Sequence, residues 1–444
     1  MSRLLQTGIN AGSKPLVKVV GGEGSRFILD DGRRVIDGSN TGGPLGHAHP
    51  DMVEAVKRAA TAPVINEGWF YAEREQAAQE LIDVAFAGEH DWVGAVRFFI
   101  SGSEANDLAL SLSQAFTGRT ALATRERAYH GMTGLSRDMT VQPHWHGGLS
   151  FQRGGTRPVP RTAPVKILPA TVRAQYGEPL RDEHLQERLA GAEETLSDVA
   201  ATIIDYTQGG HYYDAAYQDR VAEAARNAGS LWIADEVVTG LGRHGGNWFA
   251  FQGGKSRPDI VTLGKPLGGG AAPAGAVVLS KELVENMKDK TWQTYSTFRG
   301  HPMLMAAVRA HLRIVQNEGL VERAARMGDI TRRRLIEIAE KHPSVARVDG
   351  DGQHWTVELK GTDWRNWYGD TLEAPVASKV AARALEAGAM IGTSGERDSL
   401  FLSPALNMPE EDLEGLFQAL DHGLDVADET LDRGLLGAST VAGS

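Results

Sequence analysis

Cysteine is missing from this chain of 444 residues. Its absence excludes disulfide bonds and thiolate metal sites. The sequence also lacks any apolar stretch of about 18 residues or more, so we expect no transmembrane helix. The first residues lack the apolar core of a signal peptide. Together these absences predict a cytoplasmic protein.

The chain has fewer basic residues than acidic ones. The chain has 46 Lys and Arg residues against 57 Asp and Glu residues, which gives a formal net charge of −11. This balance disfavours binding to nucleic acid or to a membrane surface. The hydrophobic share of 41% and the charged share of 23% are ordinary for a soluble globular protein. The length allows a large core and predicts two domains.

The middle of the chain alternates short apolar runs with helical patterns. Helical patterns cover residues 104–116 and 215–228. The runs predicted as strands are residues 96–100, 120–124, 202–205, 231–234, 260–263 and 275–279. This alternation predicts an α/β fold with a large, mainly parallel sheet of the seven-stranded type, flanked by helices. Ligands of such sheets bind beyond the carboxyl ends of the strands.

The two ends of the chain have a different pattern. Residues 26–36 form a hairpin-like segment with Asp31 and Gly32 at its turn, and one long helical pattern runs from residue 302 past Val321. We therefore expect a smaller α+β domain, built from residues 1–65 and 306–436 around a large domain of residues 66–305. Residues 141–175 are predicted to be a long irregular excursion, and residues 437–444 a disordered tail.

Two predicted strands end in residues with a matching chemistry. Asp235 closes the run at 231–235, and Lys265 follows the run at 260–263 and precedes a glycine-rich loop. A lysine and an aspartate at neighbouring strand ends fit a pyridoxal phosphate (PLP) site. The amine can form a Schiff base with the cofactor aldehyde, and the carboxylate can pair with the pyridinium nitrogen. The alternative for a lone lysine after a strand is a solvated loop residue.

Small residues open the helix that follows the first strand of this region. Gly102 and Ser103 lie where free backbone N–H groups and the positive end of the helix dipole favour a phosphate. The alternative is a plain capped helix. Tyr129 follows another strand and can stack on a flat ring. Val237 lies two residues beyond Asp235, so in an extended segment it faces the same side and can contact the other ring face.

Seven motifs in order resemble the class III aminotransferases, which are PLP enzymes of fold type I and of the ω-amino acid and ornithine transaminase kind. They span nearly the whole chain. The motifs are LGHAHP at 45–50, SGSEAN at 101–106, YHG at 129–131, ADEVVTGLGR at 234–243, GKPLGGG at 264–270, TFRGHP at 297–302 and SPALN at 403–407.

This resemblance implies a role for each matching position. Lys265 is expected to be the Schiff-base lysine and proton shuttle, and Asp235 the partner of the ring nitrogen. The remaining implied roles are phosphate binding by Gly102 and Ser103, ring contacts by Tyr129 and Val237, and a further phosphate contact by Thr297 supplied from the neighbouring subunit. The resemblance therefore implies a homodimer with a shared active site.

The chain departs from the family where substrate is recognised. Asp205 and Tyr206 replace a Glu–Pro pair, and Phe401 stands where many members have an arginine for the substrate carboxylate. Arg299 and Arg397 are therefore the candidate carboxylate ligands. Aromatic residues suggest a wide pocket, with Trp69 and Tyr206 as its candidate walls and Phe70, Trp145, Tyr212 and Tyr213 as further members. His144 and His146 have no nearby carboxylate pattern, so no metal site is predicted.

The sequence thus predicts a transaminase that moves an amino group between an amine or amino acid donor and an oxo acceptor by a ping-pong mechanism. Its partners would be small amine and oxo substrates. A PLP-dependent isomerase (racemase, epimerase or aminomutase), decarboxylase or lyase remains the alternative. A nucleotide-binding oxidoreductase is disfavoured, because no Gly-x-Gly-x-x-Gly follows the first strand.

Overall fold

The structure is a computed structural model. It describes residues 17–64, 68–142, 145–150, 156–170, 173, 176–179, 181–208, 211–212, 215–361, 375–393 and 399–433. Arg397, Tyr213, His144 and the predicted tail at 437–444 lie outside the described residues. Within those ranges, no helix combines the length and the apolar character needed to cross a bilayer.

The strands are short and are numbered in chain order. They are β1 Val19–Glu23, β2 Arg26–Leu29, β3 Arg34–Asp37, β4 Val93–Phe99, β5 Ala121–Arg125, β6 Gly148–Ser150, β7 Thr156–Pro158, β8 Val165–Leu168, β9 Val199–Asp205, β10 Thr207–Gln208, β11 His211–Tyr212, β12 Leu231–Asp235, β13 Ile260–Leu263, β14 Gly275–Ser280, β15 Val345–Asp351, β16 His354–Leu359, β17 Ala389–Met390, β18 Gly392–Thr393 and β19 Ser399–Leu402.

The α-helices are numbered in the same way. They are α1 Pro50–Ala59, α2 Ala72–Glu80, α3 Gly102–Thr117, α4 Gly134–Asp138, α5 Asp182–Arg188, α6 Ala192–Leu196, α7 Ala215–Asn227, α8 Lys281–Asn286, α9 Pro302–Asn317, α10 Leu320–Lys341, α11 Val376–Glu386 and α12 Glu410–Asp432. A π-helical turn at Leu81–Ala85 continues α2, and a 3₁₀ turn at Lys265–Gly268 follows β13.

One seven-stranded sheet forms the centre of the large domain. Its strand order is β4-β14-β13-β12-β9-β5-β8. The pairs from β13 to β8 are all parallel, and β14 runs antiparallel to both of its neighbours. Every residue of β9 is buried, as is every residue of β13. Such continuous apolar strands are typical of a sheet covered on both faces by helices.

The smaller α+β part joins both ends of the chain. The sheet β1-β2-β3-β17 pairs a strand from after residue 388 with the N-terminal hairpin, in parallel register. A second sheet has the order β15-β16-β19-β18 and is antiparallel. A cluster of buried residues from α10, α11, α12 and both sheets forms a separate core. The fold class predicted from the sequence is confirmed, whereas its domain boundaries stay a prediction.

Two local predictions were wrong. β8 lies within residues 141–175, which were expected to be irregular. Its four residues follow Pro164 and precede Pro169, so the segment is too short to show a period, but it pairs with β5 at the edge of the sheet. The single long helix expected after residue 302 is two helices. Gly319 adopts a φ of 58° between them, a left-handed conformation that glycine takes without a steric penalty.

Candidate active site

The candidate site lies at the carboxyl ends of three adjacent parallel strands. Asp235, the last residue of β12, pairs in register with Asp205 of β9 and with Thr262 of β13. Lys265 follows β13 after Gly264 and begins the 3₁₀ turn. Parallel pairing therefore brings together the strand ends that carry Asp235 and Lys265, as the sequence predicts.

Asp235 is held by three donors. The side chain is only 3% exposed. Its Oδ2 accepts a hydrogen bond from the amide of Asn106 at 2.8 Å and lies 2.7 Å from Nδ1 of His130. Its Oδ1 accepts the N–H of Val237 at 3.0 Å. These contacts fix the carboxylate in one orientation, which a partner for a ring nitrogen requires.

Lys265 lies close to the aromatic ring predicted to stack on the cofactor. Its Nζ is 5.7 Å from the centre of the Tyr129 ring. Lys265 is exposed in the protomer, and the nearby protein removes part of its hydration, which lowers the pKa of its amine. The charges of Asp235 and Asp205 oppose that shift. A lowered pKa increases the share of the neutral amine, which is the nucleophilic form.

The start of α3 forms a tight cradle. A Cβ atom added to Gly102 would lie 2.8 Å from both methyl groups of Val237, and one added to Gly264 would lie 2.9 Å from the Cα of Gly102. Ser101 caps the helix, since its Oγ accepts the N–H of Glu104 at 3.1 Å. A side chain at Gly102 would therefore force Val237 or the helix start to move, and backbone N–H groups at such a helix start favour an anion.

Ser103 and Tyr129 complete the neighbourhood of that cradle. The Oγ of Ser103 accepts the N–H of Met132 at 3.3 Å, which ties α3 to the loop carrying Tyr129. The Tyr129 ring is half-buried and lies 5.3 Å from the Trp145 ring. Burial raises the pKa of the Tyr129 hydroxyl, so the ring stays neutral at physiological pH.

Thr297 and Arg299 lie in the turn before α9. Thr297 is exposed on the protomer. Arg299 is 3% exposed and donates to the hydroxyl of Thr294 at 3.2 Å and to the Thr294 carbonyl. Its guanidinium lies 5.9 Å from the Phe99 ring centre. These hydrogen bonds hold the Arg299 guanidinium against its own loop.

The two candidate pocket walls lie in different surroundings. Tyr206 is 3% exposed within the core, and its hydroxyl donates to Oε1 of Gln218 at 2.6 Å. This burial and this hydrogen bond argue against Tyr206 as a wall of the substrate pocket. Trp69 is 70% exposed and its neighbour Phe70 is 81% exposed, so both project from the surface of the protomer.

Phe401 is part of a stacked aromatic pair. Its ring lies 6.1 Å from the His354 ring with an interplanar angle of 7°. A Cβ at Gly392 would lie 2.4 Å from the Phe401 ring, so glycine is needed on the neighbouring strand. Burial, together with the charges of Arg243 and Lys265, lowers the pKa of His354 to about 3. The ring is therefore neutral and cannot bind a carboxylate as a cation.

Several buried polar residues near Asp235 were not predicted from the sequence. His130 and Asn106 contact Asp235 directly. His130 belongs to the motif YHG and Asn106 to the motif SGSEAN, so the motifs could have indicated both residues. Arg125 is fully buried with Nη2 2.9 Å from Oδ1 of Asp205. Glu236 is also fully buried, and burial raises its pKa to about 7. An arginine at the end of a strand gives no sequence signal that it is buried.

The donors present fit PLP. A lysine of lowered pKa, a buried carboxylate, a glycine cradle at a helix start and a half-buried aromatic ring match the aldehyde, ring nitrogen, phosphate and ring face of that cofactor. In the part of the chain that the structure describes, no three His, Asp or Glu side chains are grouped as a metal site.

Known proteins resemble this chain over nearly its full length. The family model described as aminotransferase class-III matches residues 9–424. The acetylornithine aminotransferase of Streptomyces coelicolor is 32% identical, over 94% of this chain and 93% of that protein. The ethanolamine-phosphate phospho-lyase homolog 1 of Caenorhabditis elegans is 28% identical, over 86% and 82%.

A solved structure gives the same result for the fold. The S-selective transaminase from Arthrobacter sp. with alanine bound superposes with a TM-score of 0.87 at 30% sequence identity, and the match covers 96% of each chain.

Proposed function

Because the chain belongs to the class III aminotransferases, which are PLP-dependent enzymes, we propose that Lys265 is the residue that binds the cofactor and moves the proton. The observation that supports this assignment is that three features lie together at the carboxyl ends of the parallel strands. These are the Lys265 amine, the fixed carboxylate of Asp235 and the glycine cradle at Gly102.

Each of these residues would have a distinct task in amino-group transfer. When bound, PLP supplies an aromatic ring that withdraws electrons from the substrate carbon. Asp235 would hold the proton on the ring nitrogen, since a buried anion favours the charged form of its neighbour. Gly102 and Ser103 would bind the phosphate, and Tyr129 would contact a face of the ring. Lys265 would accept a proton from the substrate carbon and return it as general acid.

The substrates are an amine or amino acid donor and an oxo acceptor, used in turn by a ping-pong mechanism. A donor alone should therefore convert bound PLP to its pyridoxamine form and release one oxo product per site. The experiment is a screen of amine donors that follows the absorbance of the bound cofactor without any acceptor. Loss of that absorbance, restored by an added oxo acid, supports transamination.

A lyase is the second candidate, because a phospho-lyase homologue is 28% identical to the chain over 86% of its length. That protein's name describes ethanolamine phosphate as its substrate. With the same compound, a lyase would release inorganic phosphate catalytically and leave the cofactor absorbance unchanged. A transaminase would consume the absorbance in one turnover and release no phosphate. Phosphate release and cofactor absorbance, measured in the same sample, therefore distinguish a lyase from a transaminase.

We also propose a homodimer with a shared active site, in the cytoplasm. Exposed aromatic side chains support an interface on the protomer: Trp69, Phe70, Tyr295 and Phe298 are 56–81% exposed. Large exposed apolar groups of this kind often mark protein contacts. Thr297 lies between Ser296 and Phe298 and would contact the partner's phosphate. Sedimentation of the holoenzyme should give twice the mass of 47.8 kDa.

Carboxylate recognition remains assigned to Arg299 or Arg397. Arg299 donates a hydrogen bond to Thr294, and this bond would have to break before the guanidinium could bind a substrate. Arg397 lies outside the described residues. Arg299→Ala and Arg397→Ala should be compared on an amino acid and on the amine without its carboxylate. A selective loss of kcat/KM on the acid identifies the ligand.

A further inference from the structure

A second carboxylate lies directly beside Asp235. Asp205 is the last residue of β9 and pairs in register with Asp235. It is 4% exposed, and burial raises its pKa, while the charge of Asp235 raises it further. Two neighbouring buried carboxylates repel each other, so both stay ionised only if one of them has a counter-charge.

Arg125 supplies that counter-charge. It is fully buried at the end of β5, and its Nη2 lies 2.9 Å from Oδ1 of Asp205. Its Nε donates to the backbone carbonyl of Asp205 at 3.1 Å, and its Nη1 donates to the carbonyl of Glu126 at 2.7 Å. One guanidinium thus joins the ends of two adjacent strands to the start of the next loop.

That loop carries both Tyr129 and His130. Within it Arg127 adopts a φ of 63°, a left-handed conformation that is unfavourable for a side chain other than glycine. The surroundings must therefore hold the loop in place. Asp205 contributes directly, since its Oδ2 accepts the N–H of Tyr129 at 3.4 Å and its Oδ1 lies 3.9 Å from Nε2 of His130.

We propose that Arg125 and Asp205 form a positioning pair that fixes the loop of Tyr129 and His130, and with it the contact between His130 and Asp235. The inference rests on the proposed function. Nε2 of His130 lies 2.9 Å from the Thr124 hydroxyl and its Nδ1 lies 2.7 Å from Oδ2 of Asp235, so a shift of the loop would disturb both contacts.

The consequence is that Asp235 keeps the orientation in which it can pair with the ring nitrogen of the cofactor. Without Arg125, Asp205 would be a buried carboxylate without its cation beside a second carboxylate, and the loop that it anchors would shift. That shift would disturb both the position of the Tyr129 ring and the contact of His130 with Asp235. Arg125 and Asp205 act through other residues, so their role is positional.

Four variants test the pair: Arg125→Met, Arg125→Lys, Asp205→Asn, and the double variant R125M/D205N. Arg119→Met is the matched control. Arg119 lies just before β5, at the end of the strand opposite to Arg125. It donates to the carbonyls of Val199, Ala228 and Gly229 at 2.9–3.0 Å. Measurements are the dissociation constant of PLP from the apoenzyme, kcat and KM for one amine donor, and the unfolding midpoint.

Arg125→Met and Asp205→Asn should each weaken PLP binding and lower kcat by about tenfold, with little change in KM, because each leaves one buried charge unbalanced. R125M/D205N should recover part of both losses, since it removes both charges, and Arg125→Lys should lie between wild type and Arg125→Met. If Arg125→Met does not fold, Asp205→Asn and Arg125→Lys decide by the same readouts.

The inference is overturned if the folded variants match Arg119→Met in PLP affinity and kcat and lose only thermal stability. That result would make the pair merely structural. If the wild-type enzyme itself does not bind PLP through Lys265, the failure belongs to the proposed function and not to the pair.

Discussion

Asp235 and Asp205 are in-register neighbours at the ends of two parallel strands, yet they have different kinds of partner. Asp205 lies 2.9 Å from the buried guanidinium of Arg125. Asp235 accepts from the Asn106 amide and the Val237 N–H, and it lies 2.7 Å from the His130 ring. Among the described residues Asp235 forms no ion pair with an arginine, and we therefore expect it, and not Asp205, to pair with a protonated ring nitrogen.

Asp235→Asn should keep the fold and lose most of the activity. An amide cannot hold a proton on a pyridine nitrogen as an anion does, so kcat should fall by about 100-fold or more, as for the loss of other groups that stabilise developing charge. Asp259→Asn is the control, because Asp259 precedes β13 at the opposite end of the sheet and accepts the Trp232 N–H at 2.8 Å. Equal kcat in the two variants would contradict the role of Asp235.

Gly102→Ala should weaken PLP binding. The new methyl would lie 2.8 Å from both Val237 methyl groups, so the helix start or Val237 must shift. Overpacking of this kind costs about 1–3 kcal/mol, and part of it should appear as a higher dissociation constant for PLP. Gly88→Ala is the control, since a Cβ there meets nothing within 4 Å. Unchanged PLP affinity in Gly102→Ala would argue against a phosphate at this helix start.

Glu236 makes the stability of the enzyme depend on pH. Burial raises its pKa from 4.5 to about 7, although the Thr239 hydroxyl and the Phe251 N–H favour the charged form. The folded state therefore binds the proton more tightly than the unfolded state. The contribution is fully present below pH 4.5 and is lost as the pH rises through 7, by an amount on the order of 3 kcal/mol.

Glu236→Gln removes this titration and keeps a similar shape. The difference between the unfolding midpoints of Glu236→Gln and wild type should increase in favour of the variant from pH 5 to pH 8. The reason is that only the wild type loses the stabilising contribution of Glu236 over that interval. Thermal melts of both holoenzymes at the two pH values provide the measurement. A constant difference between the two proteins would show that Glu236 does not titrate there.

Phe401→Arg should shift the donor preference toward amino acids. The wild-type pair of Phe401 and neutral His354 offers no cation, whereas an arginine adds a charged hydrogen-bond donor worth about 1.5–3 kcal/mol. The ratio of kcat/KM for an amino acid to that for the amine lacking its carboxylate should rise about tenfold or more. An unchanged ratio would place Phe401 outside the substrate pocket.

The strand ends could be predicted because apolar runs stop abruptly at polar residues. Lys265 and Asp235 each follow such a run, and parallel pairing then leaves little freedom in where they lie. Gly102 and Tyr129 could be located for the same reason. The predicted strands correspond to β4, β5, β9, β12, β13 and β14, with shifts of up to three residues at their ends.

What the sequence could not show depends on contacts between distant residues. Arg125 and Asp205 are 80 positions apart, and nothing local indicates that a strand-end arginine is fully buried. Tyr206 is predicted as a pocket wall because it is an aromatic residue at a position where the family has proline, but its hydroxyl donates to Gln218 within the core. Trp69 and Thr297 are exposed on the protomer, so their proposed roles depend on a second subunit.

The most direct test is the covalent site of the cofactor. Borohydride reduction of the PLP-loaded enzyme, followed by peptide mapping, should place one cofactor adduct per chain on Lys265. Lys265→Ala should show no adduct and no steady turnover, because the attachment point and the proton carrier are lost together. An adduct on any other lysine, or sustained turnover by Lys265→Ala, would contradict the account.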